Sequence, residues 1–253
     1  MDSVTPNRLD TVVRSIVEGI RGALREHDVS FQEYRAGMKY LMETAKGGEL
    51  PLLIDLFMNT TIVENMNQGR EGSTNDLEGP YFREDVPVVT DGKIKTMEQF
   101  GGQPMLLRGI VKDTAGNPVP EATIFVWSST PDGKYSGFHD DIPIEYYRGQ
   151  LVTGPNGEYQ VESTVPVPYQ IPNKGKVGAL LEQMGQHSWR PAHVHYKIRK
   201  AGFLDMTTQA YFEGGDWVGD DCCQGKHTDE FVMPEVIEDG KRVLEIDFTL
   251  DAA

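Results

Sequence analysis

The hydrophobic period changes once along this chain, and that change limits the fold more than any other feature. Near the start, Leu9, Val12, Val13, Ile16, Val17, Ile20 and Leu24 recur at steps of three and four, the spacing of one helix face. Ser30-Phe31-Gln32-Glu33 has the form of a capping box and predicts a second helix. Its apolar face would be Tyr34, Met38, Leu41, Met42 and Ala45, and Gly47-Gly48 would end it. Pro51 suits the first turn of a third helix carrying Leu52, Leu53, Leu56 and Phe57. Three such helices have more apolar face than they can bury on one another. They should pack on the following domain, on a second subunit, or on both.

From about residue 100 the pattern becomes short runs of β-branched and aromatic residues punctuated by Gly, Pro and Asn. The spacing predicts strands over Met105–Lys112, Ala122–Ser128, Gly149–Thr153, Glu158–Thr164, His193–Lys200, Met206–Glu213 and Arg242–Leu250. Gly154-Pro-Asn-Gly157 is a hairpin connection between two of them. The expected fold is therefore an all-β core, an antiparallel β-sandwich, with an N-terminal α-helical dimerisation or linker domain. The division falls at 1–75 and 76–253. Two long connections, 129–148 and 214–235, are where function is expected to sit.

Composition excludes several classes. The formal net charge of −15, from 24 basic and 39 acidic residues, argues against a nucleic-acid surface. No run is long and apolar enough to span a bilayer. The two cysteines, Cys222 and Cys223, are adjacent and therefore poor disulfide partners. With a polar N-terminus, they point to a reducing cytoplasm.

The chemistry-bearing stretch is His187-Ser-Trp-Arg-Pro-Ala-His-Val-His195. On a strand, His193 and His195 point to the same face with Cα atoms roughly 6–7 Å apart, a spacing at which two imidazoles can hold one metal ion. Imidazole suits zinc, copper, iron and nickel alike. Two tyrosines stand in unusual settings: Tyr135 in the glycine-bounded Pro131–His139 loop, and Tyr169 among Pro166, Pro168 and Pro172. A tyrosine beside a loop can simply anchor a corner by its hydroxyl. Taken together, two phenolates and two neutral imidazoles match a ferric ion, leaving one net positive charge that a hydroxide would neutralise. A zinc hydrolase would more typically use histidine, cysteine or carboxylate ligands, and a metal-free transthyretin-like binding module would need none.

Several separated segments, taken in order, resemble the intradiol catechol dioxygenases over nearly the whole chain. They are Leu77-Glu-Gly-Pro-Tyr-Phe82, Trp127-Ser-Ser-Thr-Pro-Asp-Gly-Lys-Tyr-Ser-Gly-Phe138, Val167-Pro-Tyr-Gln-Ile-Pro172, the histidine stretch, and Thr207-Thr-Gln209. The helical start and Gly214-Gly-Asp-Trp-Val-Gly-Asp-Asp-Cys-Cys223 are most similar to the chlorocatechol 1,2-dioxygenases within that family. The resemblance implies a non-haem Fe(III), one per subunit, held by Tyr135, Tyr169, His193 and His195. It implies ring opening of catechol or chlorocatechol by O2 between the two hydroxylated carbons, giving cis,cis-muconates. Tyr169 would also take a substrate proton, Arg190 would stabilise developing negative charge, and Gln209 would stand beside it. Asp55, Leu56, Gly79, Pro80, Tyr81, Ile110 and Cys223 would line the ring. A catechol or hydroxyquinol enzyme is the alternative within the same chemistry. The resemblance further implies a homodimer through the N-terminal helices and a phospholipid between them. His139, His187 and His227 are expected to be structural or surface residues.

Overall fold

The computed structural model describes residues 6–225 and 229–253. Two compact units divide between Leu50 and Pro51. The first contains helices α1 (Pro6–Glu26) and α2 (Phe31–Lys46). Ser30 caps α2 as the sequence predicts: its side chain accepts from the Glu33 N–H at 3.3 Å, and the Glu33 carboxylate accepts from the Ser30 N–H at 2.8 Å. Two otherwise unpaired donors are satisfied reciprocally. Along α1 the stripe of Leu9, Val13, Ile16 and Ile20 is exposed.

The second unit opens with most of α3 (Leu50–Asn67). Leu56, Thr60 and Val63, one turn apart, are its buried face. Among the described residues twelve strands follow, with one further α-helix among them. They are β1 (Pro104–Asp113), β2 (Thr123–Ser128), β3 (Arg148–Val152), β4 (Glu158–Thr164), β5 (Tyr169–Gln170), helix α4 (Lys176–Gln183), β6 (Trp189–Arg190), β7 (His193–Arg199), β8 (Met206–Phe212), β9 (Val232–Met233), β10 (Ile237–Glu238), β11 (Lys241–Glu245) and β12 (Phe248–Leu250). One five-stranded sheet runs β10-β11-β1-β12, with β4 also on β1. A second runs β3-β2-β7-β8-β9, and β5 and β6 form a separate ribbon.

The sandwich is mixed rather than wholly antiparallel. Strand β1 pairs parallel with β11 and with β12, and β8 pairs parallel with β9. The expected single strand over Arg242–Leu250 is also split. Met105 faces Arg242 and Val111 faces Phe248, so the register is the same on both sides of the break. Between them, the Asp247 carboxylate accepts the Ile110 N–H at 3.0 Å in place of a backbone carbonyl. The Ile246 carbonyl turns to accept from the Tyr159 hydroxyl at 2.8 Å. It lies so close to β1 that a Cβ on Gly109 would sit 1.8 Å from it, so no larger residue fits there.

Alternation along the second sheet places the site. Ile124 and Val126 of β2, Val194, Tyr196 and Ile198 of β7, and Ala210 and Phe212 of β8 join Leu107, Val111 and Val161 in the core. The period of two then turns Phe125 and Trp127, His193 and His195, and Thr207, Gln209 and Tyr211 to the opposite face. That face is covered too, which is why every residue of β8 is buried.

Candidate active site

Register brings three strands' functional side chains side by side on that covered face. Trp127 is opposite His195, His195 opposite Gln209, and His193 opposite Tyr211. The β5–β6 ribbon sets Tyr169 opposite Arg190. Tyr135 comes from the connection after β2, where Gly133 adopts a positive φ of +83°. A Cβ on Gly133 would lie 3.3 Å from the Tyr169 Cβ, so the glycine lets the two loops approach.

The four donor groups converge. His193 Nε2 lies 3.0 Å from His195 Nε2 and 3.5 Å from the Tyr135 hydroxyl, and the Tyr135 ring packs edge-on against Tyr169 with centroids 5.3 Å apart. All four residues are buried. The His193 Nδ1–H donates to the Pro191 carbonyl at 2.8 Å, which leaves its Nε2 lone pair facing the centre. His195 stacks on Trp127 with ring centroids 4.6 Å apart. Its Nδ1 has no hydrogen-bond partner among the described residues.

Electrostatics point the same way. Burial, then the Arg190 charge, pushes His193 down to about 3. Burial, then His193, holds His195 well below the ordinary imidazole range. Both are therefore neutral, the form that ligates metal. Burial pushes Tyr135 and Tyr169 up, so each phenol keeps its proton unless a cation sits against it. Two imidazole lone pairs and two phenol oxygens directed at one point, without a carboxylate or thiolate among them, fit an oxidised iron ion.

Arg190 is 3% exposed and held from two sides. Its Nε and Nη2 donate to Asp221 at 3.1 and 2.8 Å, and Nη2 donates to Gln209 Oε1 at 2.9 Å. This leaves Nη1 aimed at His193 Nε2, 3.3 Å away. Gln209 is fixed in turn by the Leu77 carbonyl and by the Tyr211 hydroxyl at 3.1 Å, and Tyr211 also donates to Asp76. Asp221, Tyr211 and Asp76 also belong to this network, and the sequence pattern does not single them out as site residues. For Asp221 the available signal was its place in the long connection beside the cysteine pair.

Of the expected ring-lining residues, Leu56 and Tyr81 are buried with Tyr135 and Tyr169, and Cys223 packs against them. Tyr81 stacks on Tyr135 at 4.1 Å. A Cβ on Gly79 would lie 3.8 Å from His195 Cε1, so that backbone borders the site. Pro80 and Asp55 are exposed beside it in sequence, on the same segment and on α3. Ile110 is not brought there. It is 42% exposed on β1 and lines an open groove of about 560 Å³ with Tyr159 and Asp247, because alternation turns it away from the core on the other sheet. His139 is exposed and accepts the Tyr135 N–H, while His187 packs at a tilt on Trp217 and faces Asp220. His227 lies outside the described residues.

Comparison with known proteins shows the family. Residues 77–252 match the family model described as dioxygenase, and residues 7–74 match the one described as catechol dioxygenase N terminus. The chain belongs to the intradiol catechol dioxygenase family and is a ring-cleaving dioxygenase. It is 50% identical to a chlorocatechol 1,2-dioxygenase of Pseudomonas putida over 96% of this chain and 93% of that one. A chlorocatechol 1,2-dioxygenase of Cupriavidus pinatubonensis is 48% identical over 97% and 96%. The crystal structure of chlorocatechol 1,2-dioxygenase from Pseudomonas putida superposes with a TM-score of 0.93 at 49% identity, covering 98% of this chain and all of that one. No described helix is long and apolar enough to cross a membrane.

Proposed function

We propose that this enzyme opens catechol and chlorocatechols between the two hydroxylated carbons with O2, giving cis,cis-muconates, at one non-haem Fe(III) per chain. The observation that carries the reading is the convergence of Tyr135, Tyr169, His193 and His195 on one buried point. These four side chains would hold the iron. Bound there, a ferric ion would supply Lewis-acid chemistry, drawing electron density from the substrate diol so that its ring can react directly with O2.

The chain's own residues do the rest. Tyr169 Oη, a phenolate while it holds the iron, would take a proton from a substrate hydroxyl. Arg190 Nη1 faces the reacting centre and stabilises negative charge as it develops on the substrate oxygens. Gln209 and Asp221 keep that guanidinium from turning away. Leu56, Gly79, Pro80, Tyr81, Cys223 and Asp55 form the walls. A mostly apolar wall with a few fixed polar groups suits a chlorinated ring. The likeness to the chlorocatechol enzymes supports that preference over unsubstituted catechol or hydroxyquinol.

The helical domain, residues 1–75, serves dimerisation. The exposed Leu9, Val13, Ile16 and Ile20 on α1 and Leu41 and Met42 on α2 support this, because so long an apolar stripe calls for a cover. A phospholipid between the helices of the pair completes that cover. The reading places the enzyme in the cytoplasm, with two reduced cysteines.

The test is direct. Iron-loaded protein should be red-brown from phenolate-to-iron charge transfer, and 3-chlorocatechol with O2 should yield the chloromuconate. Tyr169→Phe should change the absorption and slow turnover. A colourless iron-loaded protein, or a product opened beside the diol carbons, would refute the assignment.

A further inference from the structure

Past His195, strand β7 carries a cation that is no part of the metal centre, yet it holds both ends of one wall of the site. The period of two puts Lys197 on the same covered face as His193 and His195, opposite Thr207 of β8. Its side chain is only 12% exposed. The ammonium donates to the Glu78 carboxylate, and it also lies over the Phe82 ring, 4.6 Å from the centroid. Between Glu78 and Phe82 stand only Gly79, Pro80 and Tyr81. One cation therefore pins the start and the end of a short turn whose middle borders the place of the substrate ring.

What each end carries makes the grip consequential. Up to Leu77 the chain runs along β8, where the Asp76 N–H donates to the Thr207 carbonyl at 2.9 Å. At Gly79, with a φ of +68°, it turns over the site, and a Cβ there would lie 3.8 Å from His195 Cε1. Glu78, held by Lys197 and reached by the Thr207 hydroxyl at 3.5 Å, fixes where that turn begins. At the other end Phe82 packs edge-on to Phe125 at 5.4 Å and tilted on Trp127 at 5.2 Å. Tyr81, one residue earlier, stacks on Tyr135. A shift of Glu78 is thus felt at Gly79, and a shift of Phe82 at Tyr81.

We propose that Lys197 is a positioning residue that fixes how close the wall of Gly79, Pro80 and Tyr81 stands to the bound ring, and so sets which ring substituents the site accepts. It acts on the substrate only through that wall. The proposal rests on the catechol-cleaving reading of the same site. Its structural half, the grip on the wall, is measured without turnover, so the two readings fail separately.

The experiment compares the iron-loaded full chain with its Lys197→Met and Glu78→Gln variants. Methionine keeps the apolar stem and removes the charge. Catechol and 3,5-dichlorocatechol are each assayed for kcat and KM. In Lys197→Met the KM for catechol should rise and that for the larger ring should rise much less, moving the ratio of the two kcat/KM values at least about fivefold toward 3,5-dichlorocatechol. Glu78→Gln should move the ratio in the same direction. Bound iron should stay unchanged, since no ligand is touched. Amide hydrogen exchange over residues 79–82 should be faster in both variants, while β1 keeps its protection. Three outcomes would overturn the proposal: equal losses for both substrates, a ratio that stays put in Glu78→Gln, or unchanged exchange over 79–82. Should Lys197→Met not fold, as judged by circular dichroism, Glu78→Gln decides by the same two measurements.

Discussion

Asp221→Asn is the most informative single change, because it keeps the shape of the side chain while removing its charge and turning one acceptor oxygen into an NH2 donor. The Arg190–Asp221 pair is close to fully enclosed, with side chains 4% and 1% exposed and a closest contact of 2.8 Å. At that separation and an effective dielectric constant of 20, two unit charges attract by about 5–6 kcal/mol. Part of this is offset, since the variant no longer desolvates a carboxylate. Breaking a buried pair from one side costs about 3–5 kcal/mol, and an amide oxygen that still accepts one guanidinium hydrogen recovers some of it. A destabilisation of about 2–3 kcal/mol is expected, equivalent to a fall in Tm of about 4–12 °C for a chain of this size. Urea unfolding followed by tryptophan fluorescence measures it. Turnover should fall at least about tenfold, the equivalent of about 1.4 kcal/mol, with KM changed less, because Arg190 Nη1 loses its aim at His193. The double-mutant cycle with Arg190→Ala isolates the pair and should give a coupling of at least about 2 kcal/mol. A coupling near zero, with turnover unchanged in Asp221→Asn, would refute the idea that Asp221 positions Arg190.

Three further outcomes follow from other parts of the molecule. In metal-free protein both site histidines are neutral when folded and protonate at about 6.5 when unfolded. The unfolded chain then binds more protons, so stability is full above about pH 6.5 and falls as pH drops toward the folded value, about 3 for His193. Urea midpoints against pH measure this, and a flat profile from 7 to 4 would contradict the neutral imidazoles. Gly109→Ala drives a methyl group into the Ile246 carbonyl, which Tyr159 holds in place, and should cost about 1–3 kcal/mol or prevent folding. Ser30→Ala removes one reciprocal bond of the α2 cap and should cost about 1 kcal/mol, read as a lower thermal midpoint, with turnover unaffected.

Local physics made much of this legible in advance. The Ser30 cap needs only residues three apart, and the shared face of His193 and His195 follows from a period of two. The Glu158–Thr164 strand was placed to the residue, because turn residues bound it on one side and prolines on the other. What stayed hidden depends on distant partners. Alternation looks the same in parallel and antiparallel pairs, so β11 and β12 beside β1 could not be read. The break at Ile246-Asp247 depends on Tyr159 and Gly109, which meet it only in the folded chain. Asp221 and Tyr211 belong to the site through Arg190 and Gln209, and nothing local distinguishes them from any acidic loop residue or buried strand tyrosine. Helix α4 is only eight residues long, and Gly175 before it and Gly178 within it interrupt a run otherwise rich in helix formers.

Arg148 shows how the same field reasoning reaches a residue that neither motif nor spacing marks. It is 2% exposed, and its described partners are all neutral: Ser136 Oγ at 2.7 Å, the Ser136 carbonyl at 2.7 Å and the Tyr81 carbonyl at 2.9 Å. Burial, then the nearby Arg83, pushes it down to about 10, and only Tyr135 and Asp85 pull the other way. The guanidinium thus ties Tyr81, which stacks on Tyr135, to the residue that follows Tyr135 in the chain. Its charge also favours ionisation of the Tyr135 phenol. Arg148→Met leaves two carbonyls and a hydroxyl without their donor, at about 1–3 kcal/mol each, but also removes an enclosed charge whose desolvation cost is of similar size. Those terms nearly cancel, so stability should move by less than about 2 kcal/mol while the Tyr81–Tyr135 stack loosens. Metal-free Arg148→Met should therefore bind iron more weakly in competition with a chelator, and loaded protein should show a shifted phenolate absorption. Arg148→Lys should not restore either property, because one ammonium cannot span three acceptors set for a planar fork. Full rescue by lysine would mean that only the charge matters, and an unaltered iron affinity in Arg148→Met would remove Arg148 from the site altogether.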